Sequence, residues 1–324
     1  MFYRALFFLS FLLIFNPISA QNPHALAIHG GAGVMSRERM STERQQEYIY
    51  HLDKALSIGD SILRNGGRAT DAVVMVVSYL EDCPLFNAGK GAVFTHKGTI
   101  ELDASIMDGA TLNAGAIAGV TDIKNPIKAV RLVMEKSVHV MLSGKGASAF
   151  AKEQGLEIVK NKYFFTKERH ESLKRLQKQE RERNQNDNHG TVGCVALDQL
   201  GNLCAGTSTG GMMNKKYGRI GDSPIIGAGT WADNRTCAVS STGHGEYFIR
   251  LTVARDVASH IEYKNMDIHQ AGNMVLEKLT QLGGTGGFIA IDAKGNITMP
   301  FNTSGMFRAY SKSTGEKEIA IFAP

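Results

Sequence analysis

Asn188-His189-Gly190-Thr191-Val192-Gly193 joins a charged, polar run to an apolar segment of strand character through one glycine and one threonine. A threonine hydroxyl inside a chain is a weak nucleophile, because it needs a neighbouring base. At a new N-terminus the free α-amine, with an ordinary pKa of roughly 7.7–8.0, lies within reach of the same residue's hydroxyl and can take its proton. Cleavage before Thr191 would put nucleophile and base in one residue. Gly190 suits such a cut, since without a Cβ its peptide bond can be strained and the hydroxyl can approach its carbonyl carbon unhindered. For a lone Gly-Thr pair a loop entering a strand is the favoured reading, so the weight rests on what surrounds it.

Downstream, Thr191 to Asp198 reads as an apolar strand, Gln199-Leu-Gly-Asn202 as a turn and Leu203 to Thr209 as the returning strand. Such a hairpin carries Thr209 back toward Thr191. Then follow Gly210-Gly211-Met-Met-Asn-Lys, Gly218-Arg219-Ile-Gly221-Asp222-Ser-Pro, Gly227-Ala-Gly229 and Ser240-Ser-Thr242-Gly243-His244-Gly245-Glu246. In this order and spacing the chain resembles the plant-type asparaginases, the isoaspartyl peptidase/L-asparaginase family of N-terminal nucleophile hydrolases. Upstream, Leu26-Ala-Ile-His29-Gly30-Gly31-Ala32-Gly33 is similar to the family's opening strand and glycine turn, Leu80 to Gly91 to its cation-holding loop and Glu101 to Gly109 to its next segment. The resemblance spans nearly all of residues 25–324. His29-Gly-Gly-Ala-Gly33 alone would be a weak phosphate-loop signal, and it lacks both the Lys-Ser/Thr of a P-loop and the dinucleotide spacing.

At 324 residues and 43% hydrophobic the chain is long enough for one compact core. Arg4, the apolar run Leu6 to Phe15 and Ile18-Ser19-Ala20 before Gln21 form the pattern of a cleaved leader over 1–20, short of the ~20 apolar residues of a spanning helix. The expectation is an exported protein, periplasmic or secreted, without a stable membrane anchor; an uncleaved anchor is the competing reading. The formal charge of +5 falls to +4 without Arg4, the only charge in 1–20, which is too modest and mixed to argue for nucleic acid. Basic and acidic residues alternate over Lys167 to Arg183, as on a solvated helix face, and Asn184 to Asn188 read as flexible chain. The four cysteines, Cys83, Cys194, Cys204 and Cys237, read as buried core thiols, with a Cys194–Cys204 disulfide across the hairpin as the alternative.

Periodicity predicts strands at 25–29, 114–120, 236–241, 286–292, 296–299 and 317–322 beside the hairpin, with helices near 38–64, 70–81, 126–136, 146–155, 246–261 and 267–282. Helices outside two runs of strands suit an α+β chain folded as a four-layer αββα sandwich, the fold the resemblance implies. One domain would then consist of an α piece, 21–190, and a β piece, 191–324.

The resemblance also assigns parts. Thr191 is the nucleophile, Thr209 orients its hydroxyl, and the Thr242 hydroxyl and Gly243 N–H face the developing oxyanion, where one lost donor costs about 10²–10³ in rate. Arg219 pairs its planar fork with a substrate α-carboxylate and Asp222 takes the α-ammonium, with a carbonyl contact from Gly245. His29, His189 and His244 are left without a role, since a nucleophile with its own amine needs no further base. No cofactor is needed for the chemistry; a structural sodium held by backbone carbonyls of Leu80, Glu81 and Asn87 is implied. The substrates implied are small molecules, L-asparagine and β-aspartyl dipeptides, and the assembly implied is (αβ)₂. A sister family, the glycosylasparaginases, usually has His-Asp-Thr at the junction, where this chain has Gly190. A binding protein that keeps the fold but never cleaves is the reading from another class, opposed by the complete set of nucleophile, clamp and oxyanion residues.

Overall fold

The computed structural model describes residues 23–38, 40–181 and 190–323, so the leader pattern, His189 and the Asn184–Asn188 run lie outside the described residues. Two antiparallel-rich sheets face one another. The larger has eight strands in the order β12 (Lys317–Phe322), β11 (Gly305–Lys312), β1 (Ala25–Gly33), β5 (Val192–Leu197), β6 (Leu203–Thr209), β2 (Leu102–Asp108), β3 (Ala114–Val120), β4 (Met141–Ser143). The smaller runs β10 (Ile297–Thr298), β9 (Gly286–Asp292), β8 (Cys237–Gly243), β7 (Thr230–Ala232). Helices α1 (Thr42–Arg64), α2 (Ala69–Asp82), α3 (Pro126–Lys136) and α4 (Gly144–Glu153) cover the outer face of the large sheet, and α7 (Val253–Lys264) and α8 (Ile268–Gln281) that of the small one. Helix α5 (Lys167–Arg181) precedes the junction, and α6 (Gly245–Leu251) follows β8. This is the expected αββα sandwich.

Each of the three interfaces has its own core. Leu26, Ile28, Val192, Cys194 and Ala196 face the helices, while Ala25, Ala27, Val195 and Leu197 point between the sheets. Strands buried on both faces have no polar side to alternate with, which is why β5 reads as a continuous apolar run. The inter-sheet layer is rich in alanine, with Ala25, Ala27, Ala205, Ala232 and Ala238, so the two sheets approach closely around the buried hydroxyls described below. Cys237, Val239, Phe288 and Ala290 face the third layer, against Val257 and Val275 of α7 and α8. Among the described residues no helix is long and apolar enough to cross a membrane.

The strands at 114–120, 286–292 and 317–322 and the helix at 126–136 fall where the sequence placed them. Helix α1 begins at Thr42 rather than near 38, because the Ser41 side chain caps it by accepting from the Arg44 N–H at 3.2 Å. The single helix expected over 246–261 is broken at Thr252, which adopts φ 47°. The first N–H groups of α7 are taken instead by the loop carbonyls of Ala228 (from Ala254, 3.1 Å) and Gly227 (from Arg255, 2.8 Å), which compensates the break. Strands β2 and β11 were not anticipated. Asp103 and Asp108 obscure the strand character of β2, yet the Asp103 carboxylate is buried and accepts from the Gly119 N–H at 2.8 Å. In β11 the charge of Arg308 does the same, and its guanidinium donates to the carbonyls of Met306 and Phe322.

The cysteines are all thiols. Cys194 faces Gly206 and Ala196 faces Cys204, so the two cysteines are diagonal neighbours rather than a directly opposed pair. They pack unbridged in the helix-facing core, and burial pushes both thiols up. The disulfide alternative is therefore excluded.

Candidate active site

The β5–β6 ladder pairs Val192 with Ser208, which places Thr191 and Thr209 opposite one another at its open end. Thr191 is 5% exposed, and its hydroxyl donates to Thr209 Oγ1 at 3.1 Å. Thr209 in turn donates to the Gly190 carbonyl at 3.0 Å and accepts from the Gly211 N–H at 2.9 Å. A second donor reaches the same carbonyl, the Asn87 side-chain amide at 2.6 Å. Asn87 is itself fixed on three sides, since its amide also donates to Gly211 O at 2.7 Å, its Oδ1 accepts from the Val93 N–H at 2.9 Å and its own carbonyl accepts from the Gly210 N–H at 3.1 Å. The Gly190 carbonyl thus sits between an N–H donor and an O–H donor, with the neighbouring Thr191 hydroxyl hydrogen-bonded to the second.

The strand β1 approaches this junction through a bulge between His29 and Gly31. Gly31 has φ +115°, and a Cβ there would stand 3.2 Å from the Gly190 Cα. The bulge also turns His29 inward. Its Nδ1 lies 3.1 Å from the Thr191 carbonyl, which can only accept, so Nδ1 carries the proton and Nε2 accepts from the Ser240 hydroxyl at 2.9 Å. Burial holds the His29 imidazole down at about 3, so it stays neutral at any working pH. Its place is behind the main chain of Thr191 rather than beside the hydroxyl.

Across the inter-sheet layer, Thr242 is the penultimate residue of β8, and its hydroxyl accepts from the Ala32 N–H at 3.3 Å, which leaves its own proton to point elsewhere. Gly243 lines one small cavity together with Thr191, Thr209, Arg219 and Asp222. Arg219 and Asp222 do not bond one another. The guanidinium makes a bidentate pair with Glu246, at 2.8 and 2.9 Å, and that partner holds the Glu246 carboxyl down at about 2. Gly221 and Gly245 flank the pair, and a Cβ on Gly245 would meet Asp222 Oδ1 at 2.7 Å and Arg219 Nη2 at 3.0 Å. Asp222 is buried, its Oδ2 has no hydrogen-bond partner among the described residues, and burial pushes its carboxyl up to about 7. Behind the guanidinium, the buried Lys215 amine donates to the Glu101 carbonyl at 3.2 Å and lies 3.9 Å from Asp103 Oδ2.

Gly190, Thr191, Thr209, Arg219, Asp222 and Gly243 therefore line one cavity, as expected, with Gly245 against Asp222 and Arg219 and Thr242 next to Gly243 in the chain. Leu80 and Glu81 stand in the last turn of α2, the helix expected over 70–81, and the Leu80 carbonyl accepts from the Cys83 N–H at 3.3 Å. The Asn87 side chain bonds the Gly190 carbonyl, while its own carbonyl accepts from the Gly210 N–H at 3.1 Å. Glu246 was missed although it stands in the Thr-Gly-x-Gly-Glu motif; four residues after Thr242, at the start of a helix, it reads as an ordinary first-turn acid. His244 lies 3.3 Å from Glu246, away from the Thr191 hydroxyl network.

Comparison with known proteins agrees with this geometry. Residues 22–321 match the family model described as asparaginase. The chain is 50% identical over 306 residues to the isoaspartyl peptidase of Escherichia coli strain K12, an overlap of 92% of this chain and 95% of that protein. It is 43% identical over 329 residues to the probable isoaspartyl peptidase/L-asparaginase 2 of Arabidopsis thaliana, covering 92% and 98% of the two. It is 42% identical over 297 residues to the isoaspartyl peptidase/L-asparaginase of Homo sapiens, covering 90% and 94%. A match of this extent, on a sandwich that gathers the expected threonines at one strand end, shows that the chain belongs to the asparaginase family of N-terminal nucleophile hydrolases.

Proposed function

We propose that the chain cuts itself between Gly190 and Thr191, and that the freed Thr191 hydrolyses the side-chain amide of L-asparagine and the isopeptide bond of β-aspartyl dipeptides. The observation that carries this reading is the Gly190 carbonyl held by Asn87 and Thr209 while the Thr191 hydroxyl bonds Thr209. In the uncut chain Thr191 Oγ1 adds to the Gly190 carbonyl carbon, and Asn87 and Thr209 donate to the oxygen as it becomes negative. The carbon–nitrogen bond then breaks, the hydroxyl proton passes to the Thr191 nitrogen, and water hydrolyses the resulting ester to release Gly190 as a carboxylate.

In the cut enzyme the Thr191 amine takes the hydroxyl proton, Oγ1 attacks the β-carbonyl of the substrate, and ammonia or an amino acid leaves with that proton; water then hydrolyses the β-aspartyl ester on Oγ1, releasing aspartate and restoring the hydroxyl. Thr242 and Gly243 serve that second oxyanion. The orphaned Asp222 Oδ2 fits a substrate α-ammonium, and Arg219 fits the α-carboxylate. The head-group cavity measures only about 10 Å³ in the uncut chain, hardly one water, which supports cleavage as a requirement for substrate entry.

A structural sodium fits the C-terminal end of α2 in part. The helix presents its last carbonyls there, Leu80 and Glu81 among them, with the negative end of its dipole. The Asn87 carbonyl accepts one N–H, from Gly210, and keeps a second lone pair for such an ion. We further infer export from the Arg4 to Ala20 pattern, and an (αβ)₂ assembly from the family likeness; N-terminal sequencing of secreted material and sedimentation of the cut protein test these.

Intact-mass analysis tests the main reading, with pieces ending at Gly190 and beginning at Thr191 expected and Thr191→Ala uncut and inactive. A single uncut chain with full activity overturns it. Hydrolysis of β-aspartyl-leucine but not of glycosylated asparagine is expected; the reverse preference would move the chain's activity to glycosylasparagine.

A further inference from the structure

Gly190 is the wall between two cavities. On one side lies the small head-group cavity with Arg219, Asp222 and Gly243. On the other lies a cavity of about 100 Å³ that Gly190 shares with Gly31, Met35, Tyr48, Asn87, Arg169 and Phe307. We propose that this second cavity is the leaving-group subsite of the cut enzyme, and that it takes the C-terminal amino acid of a β-aspartyl peptide, an apolar side chain on its aromatic wall and the free α-carboxylate at Arg169. The proposal rests on the reading of Thr191 as nucleophile. If the substrate's own α-groups are held by Arg219 and Asp222, its scissile bond lies over Thr191 and the leaving nitrogen points away from that clamp. Removal of Gly190 opens the wall on that side.

The lining has the chemistry for this occupant. Tyr48 and Phe307 stack with centroids 4.1 Å apart and an interplanar angle of 21°, giving a flat apolar wall with Met35 at its edge. At about 100 Å³ the cavity is some ten times the volume of the head-group cavity before Gly190 leaves. Arg169, on α5, is half-buried. Two of its five N–H donors go to the carbonyls of Gly91 (3.0 Å) and Leu85 (3.1 Å), which fixes the plane of the guanidinium at the cavity rim. Tyr48 donates to the same Leu85 carbonyl at 3.3 Å, so the aromatic wall and the arginine are braced on one loop. Departure of Gly190 also frees the Asn87 N–H that now bonds its carbonyl, and that donor faces the same space.

The test is steady-state kinetics of the cut enzyme on β-aspartyl-leucine, β-aspartyl-glycine, β-aspartyl-leucine amide and L-asparagine. The unchanged enzyme should favour the leucine peptide over the glycine peptide, and over the leucine amide, by about tenfold each in kcat/KM. Arg169→Gln should bring the acid-to-amide ratio to near one and lower the ratio of β-aspartyl-leucine to asparagine by about tenfold. The leaving-group series needs no variant and so stands even where Arg169→Gln fails to fold. Equal rates on all three peptides, or an acid preference that survives Arg169→Gln, overturns the subsite while asparagine turnover upholds the nucleophile. Inactivity of the cut enzyme on all four substrates overturns the underlying reading and the subsite with it.

Discussion

Asn87→Ala separates the two oxyanions this site has to stabilise. The Asn87 amide lies 2.6 Å from the Gly190 carbonyl and is held on three sides, so it is aimed before the reaction begins and costs no reorganisation. Truncation leaves Thr209 as the remaining donor to that oxygen. Loss of one preorganised oxyanion donor costs about 10²–10³ in rate, or roughly 2.7–4 kcal/mol. Cleavage of Asn87→Ala should be slower than that of the unchanged chain by that factor. Pulse-labelled chain made by translation in vitro and followed on a denaturing gel gives the half-time directly. The asparagine rate per cleaved molecule should fall much less if, as proposed, Thr242 and Gly243 rather than Asn87 serve the substrate oxygen. Cleavage within threefold of the unchanged chain would refute the role given to the amide, and an equal loss in both reactions would refute the separation of the two sites.

Three further outcomes follow from the charges. Burial raises the Asp222 carboxyl to about 7, and only its ionised form pairs with a substrate ammonium, so kcat/KM for asparagine should fall as pH drops through about 7 with kcat less affected; a profile flat from pH 8 to 5.5 would contradict this. Arg219→Lys keeps the charge but loses the fork, and should lower kcat/KM by roughly 10–100-fold with cleavage retained; normal kinetics would place the carboxylate site elsewhere. Glu81 is fully buried, accepts from Ser208 and the Ile127 N–H, and is raised by burial from 4.5 to about 8. Its folded pKa exceeds the unfolded one, so the stability its neutral form contributes is complete below pH 4.5 and is lost as pH rises through about 8. The Tm should decline from pH 6 to 9 in the unchanged protein and decline less in Glu81→Gln; parallel curves would count against a protonated Glu81.

Local physics was enough for much of this molecule. Strands β3, β9 and β12 and helix α3 carry their periods openly, and the hairpin of β5 and β6 follows from two apolar runs and a turn. That hairpin carried Thr209 back toward Thr191, and the family resemblance carried by the glycine-rich motifs joined Thr242, Gly243, Arg219 and Asp222 to them as one expected site. What stayed hidden depends on partners remote in sequence. Asp103 and Arg308 look like strand breakers until the buried groups that receive them are in place. The break at Thr252 is compensated by carbonyls from a loop some twenty-five residues earlier. The bidentate bond of Arg219 to Glu246, the tautomer of His29 and the turning of Asn87 toward Gly190 are set by distances of about 3 Å between elements that no spacing rule relates. Sequence by itself determined the order of the layers, because period and backbone preference act over a few residues, and its resemblance to the family singled out the candidate residues for the chemistry. Only the tertiary structure decided which donor faces which acceptor, because hydrogen-bond direction and burial belong to the packed sheets and not to any one segment.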